Sequence, residues 1–350
     1  MKTKWRSGCV VLGILLAISR IAVAGETQNV LNEGTKLYRT GKFKEAIAAY
    51  DKAIKAAPKS AEAYLGRGSA RAKLGQLDAA IKDYDEAIKL NPNLADAYYK
   101  RGDARNQSKQ YSEAIKDYDE ALSRDAKLTE TYNNRGLAYY KLGQYDNAIK
   151  SFDEALQQNP KLTDALYNRG NAHFAQKRYE NAIKDYDDVI KQTPKSSKAY
   201  SRRGEAYMGL GQFEKAIQDF NQAQRLNPKD AEIYSSRGLA QRRLGHNDLA
   251  VKDYSEAIKL NSKDAEAYNN RGNAYSLLGK HDQALKDYDE ALRLDPKNGR
   301  IYGNRGMIKL RQGKKEDAQK DFKKAVELEP SLKEKLEPLM NGQTIAPVKP

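Results

Sequence analysis

One glycine every 34 residues constrains this chain more than any other feature. It stands at Gly34, Gly68, Gly102, Gly136, Gly170, Gly204, Gly238, Gly272 and Gly306. Twelve residues after each comes an alanine, from Ala46 and Ala80 to Ala318. Four further on comes an aromatic, such as Tyr84, Tyr118, Phe152 or Phe322. Three beyond that stands alanine in eight units and Val189 in the fifth. Proline closes seven units, with Ala126 and Ser262 in the other two. A fixed period of this length marks an array of small units, each of which contacts only its neighbours. With Gly34 as position 8, the units begin at residues 27, 61, 95, 129, 163, 197, 231, 265 and 299, and the ninth ends at Leu332.

Each unit reads as two helices. Ala61 to Leu74 places apolar or small residues at helical spacing and stops at Gly75; Leu77 to Leu90 repeats the spacing and stops before Pro92. No run alternates with period two, so strands are not expected. A glycine inside a helix costs about 1 kcal/mol relative to alanine. Nine of them make sense only where close helix approach returns more, and Ala at position 20 is the natural contact for each. No single hairpin of this size buries its own apolar face, so the units must stack.

The pattern resembles the tetratricopeptide repeat family over residues 27–332, with the Gly, Ala, aromatic, Ala and Pro positions in register. The family's aromatic at position 4 is matched by Tyr64, Tyr98, Tyr132, Tyr200, Tyr234, Tyr268 and Tyr302, while Val30 and Leu166 depart from it. The resemblance implies an all-α fold, a right-handed α-solenoid (superhelix) of antiparallel helix pairs. It also implies binding of extended peptides or partner proteins on the concave face. Such arrays finish with a polar capping helix. Ser331 to Glu337 fits a short one, with Leu332, Leu336 and Leu339 facing the last unit, Pro338 breaking it, and a loose tail to Pro350 completing the 333–350 segment.

Residues 1–24 have a different character. Lys2, Lys4 and Arg6 precede a short apolar run from Cys9 to Ile18, and Ala22-Val23-Ala24 follows. This is the layout of a secretory signal peptide, and the apolar run of about ten residues is short for a bilayer span. Cleavage after Ala24 would export the chain to the periplasm or the medium; an uncleaved signal would anchor it in the membrane. The cleaved chain would have no Cys, because Cys9 is the only one, and its net charge would fall from +15 to +11 with Lys2, Lys4, Arg6 and Arg20 removed.

Nothing in the composition points to catalysis. One Cys and three scattered histidines (His173, His246 and His281) leave no zinc or acid–base set, so neither a metal nor a cofactor is expected. The histidines read as turn or packing residues. The runs Asp83–Glu86, Asp117–Glu120 and Asp287–Glu290 lack the glycine and glutamate of a calcium loop and read as solvated helical faces.

Position 7 is Arg in eight units, and position 23 is Asp in seven. The first unit lacks both, carrying Glu33 and Ala49. This joint presence and absence predicts structural charge pairs such as Arg237 with Asp253 and Arg271 with Asp287. Independent solvated charges are the alternative.

By the resemblance, positions 2, 5, 6, 9, 12 and 13 line the concave surface. Position 2 is acidic in six units but becomes Lys198 and Arg300 in the sixth and ninth, while positions 12 and 13 add Tyr140, Phe174 and Arg242. Some family members grip a C-terminal carboxylate with Lys, Asn and Arg from successive units, and Asn168, Lys198 and Arg202 match part of that clamp. Alternatively, Lys198 and Arg202 neutralise nearby acids such as Glu205 and Asp164. The function expected is an exported non-catalytic scaffold for peptide or protein partners, including acidic or C-terminal carboxylate segments. The alternative is a basic helical-repeat protein binding nucleic acid or another polyanion, prompted by a pI near 9.4. The signal and the acidic line at position 2 argue against nucleic acid.

Overall fold

The computed structural model describes residues 26–341; the segment read as a signal peptide, with the cleavage expected after Ala24, and the tail from residue 342 lie outside them. Among the described residues there are α-helices and short turns and no strands. Helix α1 covers residues 26–39. It is followed by α2 (Phe43–Ala56), α3 (Ala61–Lys73), α4 (Leu77–Leu90), α5 (Ala95–Gln107), α6 (Tyr111–Arg124), α7 (Thr129–Lys141), α8 (Tyr145–Gln158) and α9 (Thr163–Ala175). Then come α10 (Tyr179–Gln192), α11 (Ser197–Gly209), α12 (Phe213–Leu226), α13 (Ala231–Arg243), α14 (Asn247–Leu260), α15 (Ala265–Leu277), α16 (His281–Leu294), α17 (Gly299–Arg311), α18 (Lys315–Leu328) and α19 (Lys333–Met340). The helices form two compact units, the first ending at Gln176 and the second starting at Lys177. Each is a solenoid in which every helix packs on the next in sequence.

Local chemistry sets the helix ends. The Ser60 hydroxyl caps α3 by accepting from the Ala63 amide at 3.2 Å, Glu62 sits in the first turn, and Arg71 and Lys73 sit in the last. Each charge opposes the helix dipole at its own end. Gly75 follows with φ +75°, and the amides of Gly75 and Gln76 donate to the Ala72 and Arg71 carbonyls. That left-handed turn suits glycine. In the third and fifth repeats the same turn is made by Lys109 (φ 62°) and Lys177 (φ 59°).

The core is shared between repeats. Ala80 and Tyr84 on α4 cluster with Ala104 on α5, and Leu65, Ala72, Leu77 and Ile81 pack around them. In the second unit, Ala216, Phe220 and Ala223 of α12 meet Ile233 and Ala240 of α13. The position-8 glycines serve close approach, but the partner differs from the one expected. A Cβ on Gly68, Gly136 or Gly272 would lie 2.8, 2.5 or 2.8 Å from the ring of Tyr84, Phe152 or Tyr288 at position 24. Ala at position 20 lies close as well, through its carbonyl at Gly102, where Ala114 O lies 3.3 Å from such a Cβ. The alanine admits the neighbouring backbone and the ring fills the space that results.

The chain end also differs. Helix α19 runs through Pro338 to Met340. Leu336, Leu339 and Met340 pack against Ala318, Phe322 and Ala325, and that burial holds the last turn despite the missing proline N–H.

Candidate functional site

Within each unit the first helices of neighbouring repeats touch: α3 with α5, α5 with α7 and α7 with α9, then α11 with α13, α13 with α15 and α15 with α17. The second helices of neighbouring repeats meet less closely, so the first helices line the inner face. A pocket of about 430 Å³ opens there in the first unit among Tyr38, Ser69, Tyr84, Tyr99, Lys100 and Asp103. Another of about 430 Å³ in the second unit is walled by Asn270, Asn273, Asn304, Met307, Arg311 and Leu336.

The residues singled out in the sequence are placed as follows. Asn168, on α9, donates to Asn133 Oδ1 of the preceding repeat at 3.1 Å, and Asn304 does the same to Asn269 at 3.0 Å. Lys198 is exposed on α11. Arg202 Nη1 donates to Glu205 Oε2 at 2.7 Å, so the neutralising contact forms. Burial raises the Glu205 carboxyl above its usual range, against the pull of Arg202. Tyr140 packs edge-on against Tyr145, with centroids 5.3 Å apart. Phe174 and Arg242 are half-buried. The histidines separate: His173 is buried on α9, while His246 precedes α14 and bonds Gln241 Oε1 through Nδ1 at 2.9 Å.

The arginine–aspartate pairs close within single repeats, as in the second, third, sixth, seventh, eighth and ninth. Arg237 Nε and Nη2 donate to the two oxygens of Asp253 at 3.0 and 2.6 Å, and Arg271 does the same to Asp287 at 2.9 and 2.7 Å. These aspartates are buried, as are Asp83 and Asp117. The first residue of each acidic run therefore does not lie on a solvated face, while the next aspartate, such as Asp85, is exposed, as is Glu120. The fold requires this, because position 23 points at the first helix beside the buried ring at position 24. Arg135 meets Ser151 and turns instead to Glu154. In the pair formed with Arg203, Asp219 stays above its ordinary value because burial outweighs the two hydrogen bonds it receives.

Each of these arginines has a further arm. Nη1 of Arg67, Arg101, Arg135, Arg169, Arg203 and Arg305 reaches position 25 of the preceding repeat, at Asp51, Asp85, Asp119, Asp153, Asp187 and Asp289. Arg237 finds Asn221 and Arg271 finds Ser255 at the same place. The guanidinium also lies over the position-4 ring, as Arg67 does over Tyr64 at 5.3 Å. One side chain thus ties two helices of its own repeat to the repeat before it. The signal was in the sequence: position 25 is Asp in six of the eight repeats that an arginine-bearing repeat follows, a neutral acceptor in the other two, and Lys323 in the ninth.

Fold and site together define a helical-repeat scaffold whose core and charge clamps recur while its inner face changes from repeat to repeat. Tetratricopeptide repeat family models match residues 31–95, 83–116 and 102–143. The model of the cilia and flagella-associated protein 70 C-terminal domain matches residues 123–338, more than half of the chain. The chain belongs to the tetratricopeptide repeat family. A tetratricopeptide repeat protein from Parabacteroides merdae is similar in structure, with a TM-score of 0.57, 23% identity, and coverage of 71% of this chain and 97% of its own. The Cut9–Hcn1 hetero-tetramer of the APC/C contains a chain with a TM-score of 0.55 and 16% identity, covering 85% of this chain and 59% of that one. Both likenesses concern the fold. No curated protein matches the chain in sequence.

Proposed function

We propose that the chain is an exported, non-catalytic scaffold that holds extended peptide or partner-protein segments along its first-helix face. The observation that carries this reading is a contrast between repeats. Positions 8, 20, 24 and 27 hardly vary, because packing dictates them. Position 6 instead runs through Asn32, Gly66, Lys100, Asn134, Asn168, Arg202, Ser236, Asn270 and Asn304. A face serving stability alone needs no such individuality, and stacked repeats present extended surfaces suited to chain-like ligands. Exposed Lys198 and Arg300 favour acidic segments in the second unit.

Selection of displayed random decapeptides on the chain tests the proposal. Binders should emerge, and some should lose affinity when Lys198→Glu and Arg202→Glu are combined in a chain of unchanged helicity. Failure to select any peptide, with salt-dependent capture of random single-stranded DNA instead, would favour the polyanion reading.

A further inference from the structure

The first-unit pocket holds a charge that the fold does not need. At position 9 of the third repeat, Asp103 Oδ1 accepts from the Tyr118 hydroxyl at 2.8 Å and from Asn134 Nδ2 at 3.0 Å. The eighth repeat makes the same ring-to-helix bond with a neutral group, where the Tyr288 hydroxyl donates to Asn273 Oδ1 at 2.8 Å. An amide is therefore enough to hold the aromatic ring in place. A carboxylate in that position is a liability, because burial raises its pKa and disfavours the ionised form.

Its surroundings offset that charge only in part: Lys100 and the hydrogen bonds pull the pKa down, but burial outweighs them. Among the described residues, no salt bridge reaches Asp103, in contrast to Glu205, which has Arg202. Lys100, the cation on its own helix, is engaged elsewhere, with Asp96 Oδ1 at 3.5 Å and over the Tyr99 ring. An ionised carboxylate offers roughly four acceptor sites. Tyr118 and Asn134 take up two, with the Tyr99 hydroxyl close by.

The walls suit a cation as well. Small Ser69 and Ala72 in the second repeat open the cavity, and Tyr38, Tyr84 and Tyr99 line it. Tyrosine faces attract ammonium and guanidinium groups. Lys73 and Lys100 also line the cavity and oppose a positive charge, so a base enters only where it bonds Asp103 directly.

We propose that this pocket, spanning the first three repeats, receives a lysine or arginine side chain of the bound segment, with Asp103 as its counter-charge and the tyrosines as its walls. This rests on the scaffold reading and adds a rule of specificity to it: a basic residue where the segment crosses α3 and α5.

The test uses the full chain, displayed random decapeptides, and the variant Asp103→Asn, which Asn273 shows to be compatible with the local packing. Peptides selected on the wild type should share one Lys or Arg in a fixed register. A synthetic peptide from that pool should lose about tenfold in affinity or more when its base is replaced by norleucine, and again on Asp103→Asn, as expected for a lost charged hydrogen bond. Binders that tolerate both changes would overturn the pocket while leaving the scaffold reading intact. Failure to select any binder would overturn both. Circular dichroism of Asp103→Asn should match the wild type, and a loss of helicity would mean that the charge is structural.

Discussion

Replacing Arg237 should cost more than any contact it makes would indicate. Its guanidinium spans both oxygens of Asp253, reaches Asn221 Oδ1 at 2.7 Å and lies 5.5 Å from the Tyr234 ring centroid. Asp253 is only 7% exposed. Arg237→Leu strands that carboxylate, and breaking a buried pair from one side typically costs about 3–5 kcal/mol. Asp253→Leu should cost less, because Arg237 keeps Asn221 and Tyr234. The double variant replaces the pair with apolar groups and should lie well below the sum of the two, giving a coupling of about 1–3 kcal/mol. Urea unfolding monitored by circular dichroism measures all three, read with a nearest-neighbour model because repeat arrays need not unfold in two states. Hydrogen exchange in α13 and α14 localises the effect. Additive losses, within about 0.5 kcal/mol, would refute the clamp as an energetic unit.

Gly272→Ala should destabilise by about 1–3 kcal/mol, since its Cβ would meet the Tyr288 ring at 2.8 Å. Gly303→Ala has 3.6 Å to its nearest neighbour and should instead stabilise by up to about 1 kcal/mol; equal signs in thermal unfolding would contradict this. Lys109→Gly should stabilise by roughly 0.5–1 kcal/mol, because it relieves a left-handed lysine at the cost of some unfolded-state entropy. Burial holds the Asp103 pKa above its ordinary 3.8, so just above that pH the folded chain binds more proton than the unfolded chain. The stability contributed at that site therefore falls as pH rises above the ordinary value, and Asp103→Asn should gain on the wild type there in urea titrations. A pH-independent difference would show that the shift is absent. Sequencing of exported protein should find Gly25 at the N-terminus, and an intact Met1 would overturn the cleavage.

The fold was legible because its determinants are periodic. Each first helix from Ala61 to Gly299 starts where the 34-residue spacing places its repeat. The joint presence of Arg and Asp at positions 7 and 23 was legible for the same reason. What the pattern did not show depends on three-dimensional packing. Spacing could not reveal that the ring at position 24 stands nearest to glycines such as Gly68, Gly136 and Gly272, ahead of Ala at position 20. The second arm of Arg67 or Arg101 was missed because its acceptor lies 16 residues earlier, in another repeat. Helix α19 continues past Pro338 because of what it packs against, which proline statistics do not record. The charge on Asp103 became distinctive only beside Asn273, once both were seen to receive the same tyrosine bond.

Hydrogen–deuterium exchange on the chain with and without a selected decapeptide tests the central claim most directly. Binding along the first-helix face predicts added protection in first helices such as α3, α5 and α7, or α13, α15 and α17, with α4, α6, α14 and α16 unchanged. Protection confined to those second helices would contradict the account.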